Sequence, residues 1–354
     1  MSKLFQALTL GDLHLKNRIV MAPMTRNRAS AEGVPNELMA SYYGQRGDAG
    51  LIVAEGTWPS ANGQAYCRQP GIATPEQIKG WQQVTDAVHA KGGLIVLQIM
   101  HGGRIGSHHI KAAGTETLAP SALLAAGEVV TDSSGMQPYD MPRALETHEV
   151  KVIVQEHAQA ARNARLAGFD GVELHCTSGY LPMQFLCSGT NLRTDEYGGS
   201  TTQRVRFAIE CLGEMGQAIG SGRVGLRVNP GNTFNDTSDE NSAQTHIELM
   251  QQAAKLNLAY LHVMRAPMPE IDAFEMARSH FGDRLILNDG FTPENSEESL
   301  KQFQNSALSY ARHFIANPDL VQRIQHGHPL TRFDRKTLYT PGAAGYTTYE
   351  PHAS

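Results

Sequence analysis

Residues 171 to 185 read GVELHCTSGYLPMQF, and over positions 175 to 180 they present an imidazole, a thiol, a hydroxyl and a phenol: His175, Cys176, Ser178 and Tyr180. Imidazole and phenol are proton donors of different strength, whereas thiol and hydroxyl are candidate nucleophiles. The alternation of apolar and polar residues up to His175 is that of a buried strand, so the four groups stand at a strand end. The same alternation turns Cys176 away from His175, which favours a packed thiol over a reactive one.

Eight runs rich in Val, Ile and Leu recur along the chain, at 18–22, 50–55, 93–99, 169–175, 223–228, 259–264, 284–288 and 306–310. Longer segments with helical spacing lie between them. Three helices carry start signals: Thr74 before Pro75, Thr147 ahead of a periodic run that stops at Gly168, and Thr292 before Pro293. Eight alternating units predict an α/β fold, a (β/α)8 TIM barrel, with LTLGDLHL at 8–15 as a β-hairpin closing its bottom. An open doubly wound sheet competes, but no GxGxxG follows any strand. Residues 101–146 lack a helical pattern and are rich in Gly, Ser, Pro and Ala, so they are expected to form a lid over the mouth of a single domain spanning 1–354.

Barrels of this kind place their chemistry at the C-terminal strand ends. Those ends deliver Pro23, Met24 and Thr25, then Glu55 and Gly56, Gln98, His175 and Arg227. The seventh and eighth add Asn288, Asp289 and Gly290, then Ala311 and Arg312. Loops after strands seven and eight commonly hold phosphate, which predicts a phosphorylated ligand anchored there with its polar head on Thr25, Gln98 and Arg227.

Composition narrows the partners. The net charge of −5 and the scattered Lys and Arg argue against nucleic acid. No apolar run reaches the roughly 18 residues of a membrane helix and MSKLFQALTLGDL lacks a signal h-region, so a soluble cytoplasmic chain without a membrane partner is expected. Cys67, Cys176, Cys187 and Cys211 show no CxxC spacing and are read as free thiols in a reducing compartment. His108 and His109 lack carboxylate or thiol partners at ligand spacing, so no metal is expected.

Long stretches of the chain, among them LKNRIVMAPMTRNRA, GVPNELMASYYGQR, GLIVAEGTWPSANGQAY, AGFDGVELH, TNLRTDEYGGS, HFIANPDL and GAAGYTTYEP, resemble the Old Yellow Enzyme family of FMN-dependent ene reductases, in particular its bacterial N-ethylmaleimide reductase-like branch. The resemblance covers nearly the whole sequence. It implies bound FMN, NADPH or NADH as co-substrate, and ping-pong hydride transfer through flavin N5 to an activated alkene. Such alkenes are α,β-unsaturated carbonyl, nitro or imide compounds.

Position by position, the resemblance implies that Thr25 bonds the flavin O4 while Pro23, Met24 and Gly56 line its ring. Gln98 would hold the pyrimidine edge, Arg227 would face N1 and O2, and Asp289, Gly290, Ala311 and Arg312 would hold the phosphate. Tyr66, Met100 and Tyr349 would border the substrate. His175, with Ser178, would polarise the carbonyl, and Tyr180 would protonate the α-carbon.

Several positions depart from the family pattern, Cys176 among them, which replaces a glycine next to His175. Ser178 stands where an Asn or His is usual, and a hydroxyl reaches less far than an amide. Met100 replaces a common Trp, which should enlarge the pocket. Asp289 and Ala311 replace glycines at the phosphate rim; the alanine needs a negative φ, and the carboxylate must turn away or pair with Arg312. These departures keep other readings open: a redox-neutral isomerase or desaturase, a catalytically weak flavin-binding relic, or a flavin-free aldolase. The last is disfavoured because no strand candidate carries a lysine. The sequence leaves the physiological substrate and the oligomeric state open.

Overall fold

The computed structural model describes residues 2–352. The chain opens with an antiparallel hairpin, β1 (Leu8–Leu10) and β2 (Leu13–Leu15). It turns at Gly11, whose φ of +58° suits glycine and where any Cβ would collide with the Gly222 carbonyl. Then follow β3 (Ile19–Met21), α1 (Glu37–Gly44), β4 (Leu51–Thr57), α2 (Pro75–His89) and β5 (Ile95–Ile99). Two short pairs come next. They are β6 (Leu118–Ala119) with β9 (Arg143–Ala144), and the hairpin β7 (Glu128–Thr131) with β8 (Gly135–Pro138). Regular alternation resumes with α3 (Thr147–Leu166), β10 (Gly171–Cys176), α4 (Leu181–Leu186), α5 (Thr201–Ile219), β11 (Val224–Val228), α6 (Ser242–Ala254) and β12 (Tyr260–Met264). It ends with α7 (Ala273–His280), β13 (Leu285–Asn288), α8 (Pro293–Gln302), β14 (Ser306–Tyr310), α9 (Arg312–Ala316) and α10 (Leu320–His326).

The eight strands expected from the apolar runs close into a parallel barrel in the order β10-β11-β12-β13-β14-β3-β4-β5, a (β/α)8 TIM barrel. Its helices start where the sequence signals them. Thr74 caps α2 in a reciprocal box with Gln77, Pro75 opens that helix, and Thr292 caps α8 the same way. One start shifts by a residue: Glu146 is the cap of α3, and the Thr147 hydroxyl instead donates to Asp195 at 2.6 Å.

Every barrel strand has two buried faces. Leu174 and Cys176 pack into the layer between strands and helices, as alternation predicts for Cys176, and all four cysteines are buried and free. The lower barrel interior is apolar, with Val20, Leu51, Val53, Val96, Ile286 and Ala307 packed on the hairpin residues Leu10, Leu13 and Leu15. One level up the interior turns polar, and that change of character makes the floor of a site. Residues 101–146 contain no helix and run past the mouth through β6 to β9. No helix among the described residues is long and apolar enough to cross a membrane.

Candidate active site

A cavity of about 910 Å³ opens at the C-terminal mouth of the barrel. From the first strand end it takes Pro23, Met24 and Thr25; from β5 and its loop, Gln98 and Met100; from β10 and its loop, His175, Ser178 and Tyr180. Arg227, Asp289, Gly290, Ala311, Arg312 and Tyr66 complete the expected group. Two residues lie elsewhere. Gly56 sits behind Met100, which occupies the space a Cβ there would need, and its carbonyl accepts from Gln69 at 2.9 Å. Tyr349 does not reach the cavity: its hydroxyl accepts the Asp334 N–H at 2.9 Å, and Phe333, Leu338 and Tyr339 line the wall from that part of the chain.

The floor is a closed polar network. Glu173, fully buried on the same strand face as His175, accepts from Gln98 Nε2 at 2.8 Å, Tyr260 Oη at 3.1 Å and His262 Nδ1 at 2.8 Å. Room for Tyr260 exists because its neighbour across the strand pair is Gly225, where a Cβ would overlap the ring. With Nδ1–H spent on Glu173, His262 Nε2 is the acceptor, and Arg227 donates to it at 2.7 Å while bonding Asn288 Oδ1 at 2.8 Å. Burial alone would raise Glu173, yet His262, Arg227 and Gln98 outweigh it and hold the carboxylate below its ordinary value. Burial, reinforced by Arg227, pushes His262 down to about 4. A neutral imidazole therefore bridges a buried anion and a buried cation, and Arg227 presents a charge of fixed direction to the cavity.

On the wall above, burial and then the Arg227 charge push His175 down to about 3, so its ring is neutral at any ordinary pH. Among the described residues His175 Nδ1 is buried without a partner, and the ring lines the cavity, which leaves Nε2 as the nitrogen available there. Tyr180 packs against that ring with centroids 4.9 Å apart, and its hydroxyl lies 2.8 Å from that of Tyr66. Burial and the neighbouring Tyr66 raise Tyr180 well above the usual phenol range, so it keeps its proton. Ser178 adopts a φ of +57°, and its hydroxyl rests 3.4 Å from that of Thr177.

The opposite rim has the donors a phosphate requires. Among the described residues the backbone N–H groups of Gly290, Ala311 and Arg312 donate to no protein acceptor. Ala311 has the negative φ an alanine needs, −91°. Asp289 is held in the left-handed region at φ +83°, and among the described residues it does not pair with Arg312. Open N–H groups, Arg312, the Gln98 amide and the fixed charge of Arg227 fit FMN from phosphate to pyrimidine edge.

The strand-end inventory missed Glu173 and His262, although the period of two that placed His175 inward places Glu173 beside it. It also missed the outer collar. Val130 and Met136 of the β7–β8 hairpin, Phe234 after β11 and Tyr339 are 51 to 59% exposed, and all four line the mouth. No pattern in the sequence joins these segments.

Residues 3–331 match the NADH:flavin oxidoreductase / NADH oxidase family. A Leishmania infantum protein named "Probable flavin mononucleotide-dependent alkene reductase" is 40% identical over 352 residues, 98% of this chain and 96% of that protein. The solved structure of morphinone reductase in complex with tetrahydroNAD is 40% identical, with a TM-score of 0.94 over 99% of this chain and 98% of that one. An old yellow enzyme homologue from Zymomonas mobilis, 37% identical, also gives 0.94, covering 98% of this chain and 99% of its own.

Proposed function

The chain belongs to the NADH:flavin oxidoreductase / NADH oxidase family, the Old Yellow Enzyme family, and is an FMN-dependent NAD(P)H oxidoreductase; from that premise we propose that it reduces the C=C bond of activated alkenes carried on bulky apolar frames. The observation that carries this reading is the pairing of a neutral imidazole, His175, with a proton-holding phenol, Tyr180, on one wall of the cavity. Bound FMN would supply the hydride chemistry, with NADPH or NADH as the source of electrons.

The side chains divide the remaining work. His175 Nε2 donates to the substrate's carbonyl, nitro or imide oxygen as negative charge builds there. Because the ring is neutral, it polarises that oxygen without losing its proton. Tyr180 gives its proton to the α-carbon. Gln98 and Arg227 would hold the pyrimidine end of the cofactor, Thr25, Pro23 and Met24 its ring system, and the rim N–H groups with Arg312 its phosphate. Tyr66 and Met100 border the alkene. The slender Met100 and the apolar collar favour a substrate too large for a small closed pocket.

The test is the visible spectrum of purified protein before and after anaerobic addition of NADPH or NADH, followed by an enone. A yellow protein that bleaches with nicotinamide and regains colour as the enone is saturated supports the proposal. Bleaching with no alkene consumed, across small and polycyclic enones, would refute it.

A further inference from the structure

Three stretches of the cavity mouth meet in one guanidinium. Arg68 follows Tyr66 by two residues in the loop after β4, where Gln69 holds the turn by accepting the Ala65 N–H at 2.9 Å and donating to the Gly56 carbonyl at 2.9 Å. The Arg68 side chain is largely buried and spends each nitrogen on a different segment. Nε donates to the Asn27 carbonyl at 3.0 Å, just past β3, and Nη2 donates to the Tyr339 carbonyl at 3.1 Å, near the C-terminus. Nη1 pairs with the half-exposed carboxylate of Asp132, in the turn of the β7–β8 hairpin. Only a planar fork of donors reaches in three fixed directions from one side chain.

The hairpin has no other contact of this kind. Among the described residues, every further hydrogen bond of Glu128–Pro138 closes within the hairpin itself, so Arg68 is its one polar tie to the rest of the chain. Its base is rooted by packing, since Val129 is buried in a cluster with Met100, Tyr139 and Tyr180. Beyond the base, Val130 and Met136 stand directly opposite each other across the strand pair, both half exposed and both lining the mouth. Opposed residues of an antiparallel pair project from one face. The hairpin therefore carries an apolar face toward the cavity, and an ion pair at the tip fixes where that face stands.

We propose that Arg68 and Asp132 are positioning residues for substrate specificity: their ion pair latches the hairpin tip beside Tyr339 and holds the Val130–Met136 face as the wall against which the apolar frame of a bulky alkene packs. This rests on the ene-reductase reading above. Neither residue lines the cavity, so both act through Val130 and Met136. Releasing the latch leaves His175, Tyr180 and Arg227 on their barrel strand and its loop, and it bears on binding of large substrates rather than on the chemistry. A single six-membered enone fills little of a 910 Å³ cavity and makes no demand on the hairpin.

The test measures dissociation constants of oxidised holoenzyme for progesterone and for 2-cyclohexenone by perturbation of the flavin absorbance. It compares the wild type with Asp132→Asn, Asp132→Glu, Arg68→Met and Arg68→Met/Asp132→Asn. Asp132→Asn should weaken progesterone about five-fold, the range of a partly exposed ion pair, and leave 2-cyclohexenone within about two-fold. Asp132→Glu, which keeps the charge, should recover most of the loss. In the Arg68→Met background Asp132→Asn should add nothing, because the partner is already gone. Raising the salt should weaken progesterone binding by the wild type and not by Asp132→Asn. Progesterone binding that Asp132→Asn leaves unchanged, or a loss shared equally by both ligands, overturns the inference alone. A wild-type holoenzyme that bleaches with nicotinamide but saturates no enone overturns the functional reading and the inference with it.

Discussion

The hydroxyls of Tyr66 and Tyr180 stand 2.8 Å apart with their rings at 90°. Among the described residues neither hydroxyl has a hydrogen-bond partner besides the other, and both side chains line the cavity. Replacing Tyr180 with Phe keeps the packing and removes the proton. Alkene reduction should fall on the order of 100-fold or more, with the loss in flavin reoxidation by enone and not in bleaching by nicotinamide. Stopped-flow measurement of the two half-reactions separates them, and unchanged reoxidation would exclude Tyr180 as the donor.

Buried neutral histidines give the fold an acid limit. His175 is pushed down to about 3, His157 and His262 to about 4, and each returns to about 6.5 on unfolding. The unfolded chain therefore binds more protons between about 4 and 6.5, so stability falls as the pH drops through that window. Urea denaturation at pH 7.5, 6 and 5 should show this loss. His157→Phe, outside the cavity, should flatten the slope; an unaltered slope would mean that His157 is charged in the folded protein.

Glu173 balances Arg227 through His262. Substituting Gln removes the anion and leaves the guanidinium uncompensated beneath the cofactor. The midpoint potential of bound FMN should rise, and stability should fall by on the order of 3 kcal/mol. Redox titration and urea unfolding read the two effects independently; a potential that stays put would show that Arg227 is screened from the flavin.

Asp289 adopts a φ of +83°, where glycine is at ease and a side chain is strained. Asp289→Gly relieves that strain and removes a carboxylate from the phosphate rim. Stability should rise by about 1 kcal/mol and FMN should bind several-fold more tightly, as read by fluorescence titration of apoprotein. Weaker binding would mean that the carboxylate orders the loop for phosphate.

The barrel and most of the cavity were legible in the sequence because both follow from periodicity. Eight apolar runs fix eight strands, and strand ends share one mouth, so Thr25, Gln98, His175 and Arg227 meet there despite their separation in sequence. What remained hidden depends on contacts between loops. Nothing in the C-terminal segment shows that Tyr349 bonds Asp334 while Tyr339 faces the site. Nothing near 235 shows that its amide meets the carbonyl of residue 178. Glu173 is an intermediate case, since its inward position was readable but its three partners were not.

Floor and collar answer to different constraints. A substitution at Glu173 disturbs three hydrogen bonds and a charge balance at the centre of the barrel, whereas Val130, Met136, Phe234 and Tyr339 are more than half solvated and come from three separate segments. Sequence drift at the rim is therefore nearly free for the scaffold, while drift at the floor is penalised at once. The collar is thus where this barrel can change what it accepts without disturbing how Arg227 is held at the floor.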